Sequence, residues 1–240
     1  MTPEMTDVMV LCGGRGTRLG RLTDVTPKPL LPVGRWPFLF HLLRQLQQEG
    51  FRQFILSAHY LADQFEIFAR TYERTFPGIV VVIEPAPLGT GGALRHVAER
   101  VRSTVFVVLN GDSWVSQPVT PVLKQHAAAW RALTMVVVDA SQVEGGAVKK
   151  GLCRLGPTGE LLGFTTPEAA HAGWVNAGMY VLDREMVRSW PAGSYSFEQE
   201  LPKLVSGRSA GVFCSTGRLL DIGTPECYAW ANKQSFEIPV

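Results

Sequence analysis

Val8-Met9-Val10-Leu11-Cys12-Gly13-Gly14-Arg15-Gly16-Thr17-Arg18-Leu19 is the stretch that decides how this chain folds. Val8 to Leu11 is short and wholly apolar, as in a strand buried on both faces. The three glycines after it let the backbone fold back sharply and turn its N–H groups toward a ligand. Pro27-Lys28-Pro29-Leu30 completes the segment, and the stretch from Thr23 to Pro32 is rich in helix breakers. Arg18 and Lys28 add cationic side chains suited to phosphate oxygens. Glycine amides and two cations beyond a strand's carboxyl end together form a polyphosphate grip.

Two familiar glycine loops do not match. The dinucleotide fingerprint G-x-G-x-x-G fails because Leu19 stands where its third glycine belongs. The P-loop fails because no Gly-Lys-Ser/Thr follows. A glycine-rich turn with solvated arginines is the plain alternative.

Working outward, similar apolar runs recur at Phe54-Ile55-Leu56, Ile79 to Ile83, Val105 to Leu109 and Met135 to Val138. Helical patterns over 38–49, 61–73, 92–101 and 119–130 flank them. That alternation predicts an α/β fold with a mostly parallel central sheet covered on both faces. Ligands on such sheets sit beyond the carboxyl ends of the strands. The Gly-rich loop, Glu84 to Gly92 and Asn110 to Ser113 are therefore expected on one rim. From about 145, Gly145-Gly146, Gly151, Gly156-Pro157 and Gly159 punctuate short runs, the pattern of a small β excursion. Trp174 to Leu182 reads as a further strand, and Pro225 to about Phe236 as a closing helix. No linker or repeat appears, so one domain is expected over 1–240.

Hydrophobic residues at 46% and charged residues at 18% suit a compact globule, and a net charge of +2 disfavours a nucleic-acid binder. Positive charge is nevertheless concentrated at Arg15, Arg18, Arg21, Lys28 and Arg35, which suits a small anionic substrate. Cys12, Cys153, Cys214 and Cys227 lack metal or redox spacing and read as buried free thiols in a reducing cytoplasm. The start of the chain has no secretory pattern, and no apolar run approaches the roughly 20 residues that span a bilayer. A cytoplasmic protein without membrane partners is expected. A homo-oligomer is compatible with this sequence, which gives no oligomeric state. His41, His59, His96, His126 and His171 share no ligand spacing, and the tryptophans read as core or rim packing.

Two acidic elements stand out. In Asn110-Gly111-Asp112-Ser113, Asp112 follows an apolar strand near the grip and is placed to hold a magnesium ion, although the tetrapeptide also reads as a simple turn. In Leu220-Asp221-Ile222-Gly223-Thr224-Pro225, Asp221 lies between apolar residues, where an acid is costly unless paired or metal-bound.

The segments Gly13-Gly14-Arg15-Gly16-Thr17-Arg18-Leu19 and Pro27-Lys28-Pro29 resemble the GGxGTRL…PKP signature of sugar-1-phosphate nucleotidyltransferases. The other elements follow in family order through Pro225, so the resemblance covers most of the chain. Leu-Cys-Gly-Gly at 11–14, Trp36-Pro37-Phe38-Leu39, Leu109 to Ser113, Ser196-Phe197-Glu198 and Asp221 to Pro225 are most similar to the short heptose 1-phosphate guanylyltransferase branch. A Rossmann-like fold of the nucleotide-diphospho-sugar transferase type is implied, with a nucleotide-binding half over about 1–140 and a sugar-binding half over about 141–240.

The resemblance also implies roles. Arg18, Lys28 and Asp112 are the catalytic candidates. Asp112 and Asp221 are the metal carboxylates for Mg²⁺. Leu11, Gly13, Gly14, Gly16 and Thr17 belong to the triphosphate loop. Glu84, Leu88, Gly89, Thr90 and Gly92 belong to the nucleobase loop, whose glycines would admit the base and whose Thr90 would cap the next helix. Uridylyl and thymidylyl relatives typically carry Gln where this chain has Glu84. A carboxylate only accepts hydrogen bonds, and guanine offers two adjacent donors, which favours GTP over UTP or dTTP. Asn110, Gly151, Asn176 and Glu198 are the sugar candidates, with a helix-start role as the alternative for Glu198. The family's Glu-Lys-Pro is replaced here by Phe164-Thr165-Thr166-Pro167, leaving Lys149 or Lys150 to hold the sugar phosphate. The expected substrates are GTP and D-glycero-α-D-manno-heptose 1-phosphate. Other readings are a uridylyl or thymidylyl enzyme on a hexose or muramate 1-phosphate, a non-catalytic nucleotide-sugar binder, and a dinucleotide-dependent oxidoreductase, which Leu19 disfavours.

Overall fold

The computed structural model describes residues 1–145, 152–156, 161–164, 173–205 and 209–233. In chain order its strands are β1 (Asp7–Leu11), β2 (Pro32–Val33), β3 (Trp36–Pro37), β4 (Gln53–Ala58), β5 (Ile79–Ile83), β6 (Val105–Asn110), β7 (Ser113–Val115), β8 (Leu133–Asp139), β9 (Leu152–Leu155), β10 (Leu161–Phe164), β11 (Trp174–Asp183), β12 (Ala210–Ser215) and β13 (Leu219–Asp221). Its α-helices are α1 (Phe38–Gln48), α2 (Ala62–Thr71), α3 (Gly89–Val97), α4 (Val119–Ala128), α5 (Arg184–Arg188), α6 (Phe197–Leu204) and α7 (Pro225–Lys233).

Among the described residues, nine strands form one sheet in the order β10-β9-β11-β6-β1-β4-β5, with β8 on β11 and β12 on β8. The strands β6, β1, β4 and β5 run parallel, as their near-continuous apolar composition requires when helices cover both faces. The long strand β11 runs antiparallel to β6, β8 and β9, and β9 with β10 forms the expected excursion. Successive residues of β1 serve opposite cores. Val8 and Val10 pack with Phe38, Leu39 and Leu43 of α1 and Phe65 of α2. Met9 packs with Leu94 and Val97 of α3 and Phe197 and Leu201 of α6. That two-residue alternation is the strand period expressed in three dimensions.

Three expectations need correction. The third helix opens at Gly89, three residues early, because the backbone of a distant segment satisfies its first turn: Gly91 N–H donates to Tyr195 O at 3.0 Å. Not every tryptophan is core or rim, since Trp130 is 91% exposed with φ +48°. It takes the left-handed position that ends α4, where Trp130 N–H bonds Ala127 O and Arg131 N–H bonds His126 O. Cys214 is exposed on β12, whereas Cys12, Cys153 and Cys227 are buried. Among the described residues no helix is long and apolar enough to cross a membrane.

His126 ties α4 to β8 through Nδ1 and the Thr134 hydroxyl, 3.0 Å apart and buried. Burial pushes its pKa down to about 4, with Arg131 acting in the same direction. The unfolded chain therefore binds a proton near pH 6.5 that the folded chain refuses until about pH 4. Stability from this site is present above pH 6.5 and is lost as pH falls toward 4, by at most about 1.4 kcal/mol per pH unit. Urea unfolding at pH 7 and pH 5 should show that decline, and His126→Asn should flatten it.

Candidate active site

The carboxyl ends of β1, β5 and β6 meet at one cavity of about 490 Å³. Of the residues expected there, Leu11, Gly13, Gly14, Lys28, Glu84, Leu88, Gly89, Thr90, Asn110 and Asp112 line it. Glu84 is only 5% exposed, not a solvated strand-end acid. Its Oε1 accepts from Ser57 Oγ at 2.9 Å and its Oε2 from Leu88 N–H at 3.3 Å. Gly13 makes room for it, since a Cβ there would lie 2.6 Å from Glu84 Oε1. The carboxylate thus sits directly against the first turn of the glycine loop.

Lys28 Nζ donates to Asp112 Oδ2 at 2.8 Å, and the lysine is 8% exposed. Gly16, at φ +70°, presses on this side chain: a Cβ there would be 3.1 Å from Lys28 Cε. Gly16 therefore shapes the lysine slot without lining the cavity. Ser113 Oγ donates to Asp112 Oδ1 at 3.1 Å, turning the acid from its other side. Cys12 lies beneath. Burial, reinforced by Asp112 and Glu84, pushes its thiol well above the usual range, so it stays protonated and is no nucleophile.

Asp221 and Arg18 both approach Gly223 beside this pair, outside the cavity lining. Strand β13 pairs with β7 so that Asp221 faces Ser113, and Ile222 N–H bonds Asp112 O at 3.0 Å. Gly223 N–H donates to Asp221 Oδ1 at 2.7 Å. A Cβ on Gly223 would lie 2.6 Å from Asp221 Oδ1 and 2.9 Å from Arg18 Nη2. Thr17, exposed, opens the single-turn helix that carries Arg18. Among the described residues no group of three or more His, Cys, Asp or Glu could hold a metal alone. Two neighbouring carboxylates suit instead a hard divalent cation that takes its remaining oxygens from substrate phosphates and water. The donor set fits such an ion.

The nucleobase-loop glycines do different work from that expected. A Cβ on Gly91 would strike the Tyr195 ring at 2.1 Å, and one on Gly92 would strike Gly193 O at 2.0 Å. They let α3 press against residues 193–195, and Gly92 does not line the cavity. Thr90 does not cap α3 either. It lies inside the helix, and its hydroxyl donates to Glu198 Oε2 at 2.8 Å while accepting from Phe197 N–H. Glu198 also accepts from Ser196 Oγ, whose oxygen caps α6.

On the sugar side, Asn176 spends its amide within β11: Nδ2 donates to the Tyr180 hydroxyl at 2.5 Å and Oδ1 accepts from Gly178 N–H at 2.9 Å. This turn forms a bulge, with Gly178 at φ +71° pressed on Asn110. Asn110 Oδ1 is buried and, among the described residues, finds no donor, so it is ready for a ligand hydroxyl. Gly151, Lys149, Lys150 and Thr165 to Pro167 lie outside the described residues.

Two cavity residues, His59 and Tyr60, have no motif to announce them. His59 and Tyr60 follow β4, and His59 Nδ1–H donates to Glu84 O at 3.2 Å. Arg15 stacks over the Tyr60 ring at 5.7 Å from its centroid. Position beyond a parallel strand was the signal that could have found them.

Comparison with known proteins agrees with this geometry. The nucleotidyl transferase family model matches residues 7–237. A mannose-1-phosphate guanylyltransferase of Mycobacterium tuberculosis is 32% identical over 94% of this chain, which spans 63% of that relative's length. A D-glycero-α-D-manno-heptose 1-phosphate guanylyltransferase of Aneurinibacillus thermoaerophilus is 26% identical and aligns over 95% of this chain and 97% of its own. The crystal structure of HddC from Yersinia pseudotuberculosis complexed with GMP-PN superposes with a TM-score of 0.84 at 26% identity, covering 95% of this chain and 99% of that one. With that model matched over nearly its whole length, the chain belongs to the nucleotidyl transferase family.

Proposed function

We propose that this protein transfers the guanylyl group of GTP to a sugar 1-phosphate, giving a GDP-sugar and pyrophosphate. One observation carries the reading: the buried Glu84 carboxylate shares a cavity with the Lys28–Asp112 pair and the Gly13–Gly14 turn. A sugar-phosphate oxygen attacks the α-phosphorus, a new P–O bond forms, and the bond to the bridging oxygen of pyrophosphate breaks. This chemistry demands positioning and charge neutralisation more than a protein nucleophile.

Gly-loop amides and Arg18 hold the β- and γ-phosphates in this reading, and Lys28 offsets charge at the α-phosphoryl group. Glu84 accepts from guanine N1–H and the 2-amino group, and Asn110 Oδ1 takes a hydroxyl. Family members generally act with a divalent metal, and we assign Mg²⁺ to Asp112 and Asp221. Bound there, the ion would neutralise phosphate charge. The acceptor assigned is D-glycero-α-D-manno-heptose 1-phosphate, because the heptose relative aligns along nearly its whole length and the mannose relative does not.

Pyrophosphate release should be measured with GTP, UTP and dTTP against heptose, mannose and glucose 1-phosphates. The highest kcat/KM is expected for GTP with the heptose. Turnover fastest with UTP or dTTP would reverse the base assignment, and no turnover at all would make the protein a nucleotide-sugar binder.

A further inference from the structure

Thr90 of α3 and Ser196 at the start of α6 both direct their hydroxyls to one carboxylate oxygen, Oε2 of Glu198, at 2.8 and 3.0 Å. The proton direction in this cluster is determined by its ends. Phe197 N–H can only donate, so Thr90 Oγ1 accepts from it at 2.8 Å and passes its own proton to Glu198. Gly178 N–H likewise fixes Asn176 Oδ1 as acceptor, so Asn176 Nδ2 donates to the Tyr180 hydroxyl. The Thr90 and Ser196 hydroxyls both end on Glu198 Oε2 as their acceptor.

The cluster touches the α3 wall of the cavity. From Thr90 it continues through the first turn of α3 to Leu88, whose N–H holds Glu84 Oε2. Sequence resemblance offers Glu198 as a sugar ligand, yet its Oε2 already accepts from two hydroxyls. We propose that Glu198 is a positioning residue: by anchoring Thr90 it holds the α3 wall and Glu84 in place for the guanine base, before any sugar phosphate binds.

The proposal rests on GTP being the nucleotide, and the test separates the two. GTP and UTP are titrated by calorimetry against the whole protein without sugar phosphate, and melting temperatures are recorded for each variant. Wild type is expected to bind GTP more tightly than UTP. Thr90→Val removes the hydroxyl at constant volume and should weaken GTP about tenfold, the worth of one hydrogen bond to a charged group. Glu198→Gln should weaken it at least as much and narrow the GTP-over-UTP preference. Thr90→Ser should recover most of the loss seen with valine.

If Glu198→Gln and Thr90→Val bind GTP like wild type, and Glu198→Gln raises only the KM for sugar phosphate, the proposal is overturned and Glu198 is a sugar ligand. If Glu198→Gln melts early, the Thr90 valine and serine pair decides alone. If wild type prefers another triphosphate, the guanine reading fails, and the same series titrated with that triphosphate still tests Glu198.

Discussion

Lys28→Ala is expected to lower kcat by about 10²–10³, equal to about 2.7–4 kcal/mol of transition-state stabilisation. The size follows from how firmly the ammonium is held. It lies 2.8 Å from Asp112, its side chain is 10% exposed, and Gly16 closes on its Cε, so no reorganisation is needed when charge builds on phosphate. A solvated lysine would contribute far less, because water would screen it. Alanine also leaves the Asp112 carboxylate without its ammonium. Pyrophosphate release at saturating substrates measures the loss, and a melting curve separates it from unfolding. Retention of more than a tenth of wild-type kcat would remove Lys28 from the reaction and with it the proposed grip.

Glu84→Gln should redirect the base preference. Hydrogen bonds to a buried charge are worth about 1.5–3 kcal/mol, so kcat/KM for GTP should fall roughly 10- to 100-fold. The variant should fold, because the Ser57 hydroxyl can turn to accept from the new amide while the remaining oxygen keeps Leu88 N–H. An amide both donates and accepts, which opposes guanine's adjacent donors and suits a pyrimidine edge. UTP or dTTP should therefore gain relative to GTP. Unchanged GTP preference, measured as a kcat/KM ratio under competition, would place base recognition elsewhere on the cavity wall.

Much of the fold could be read from local pattern. The apolar runs of β1, β4, β5, β6 and β8 and the flanking α1, α2 and α4 appear where the strand and helix periods put them. Thr90 shows where that reading stops. A threonine after Gly89 looks like a helix cap, yet its partner is Glu198, 108 residues away. Gly91 and Gly92 look like ligand-facing glycines, but what requires them is the Tyr195 ring and Gly193 O. Trp130 takes a position usually given to glycine, a choice that no composition rule anticipates.

By itself the sequence determined the parallel sheet, the order of its chemical elements and the rim at which they gather, because strand period and glycine geometry are properties of neighbouring residues. Only the tertiary structure decided that Glu84 is buried against Gly13, that Lys28 is slotted between Gly16 and Asp112, and that Arg18 and Asp221 both crowd Gly223. It also decided that Glu198 takes the Thr90 hydroxyl from α3 rather than standing free. Those facts depend on which side chains share a volume, and that is settled by packing between segments far apart along the chain.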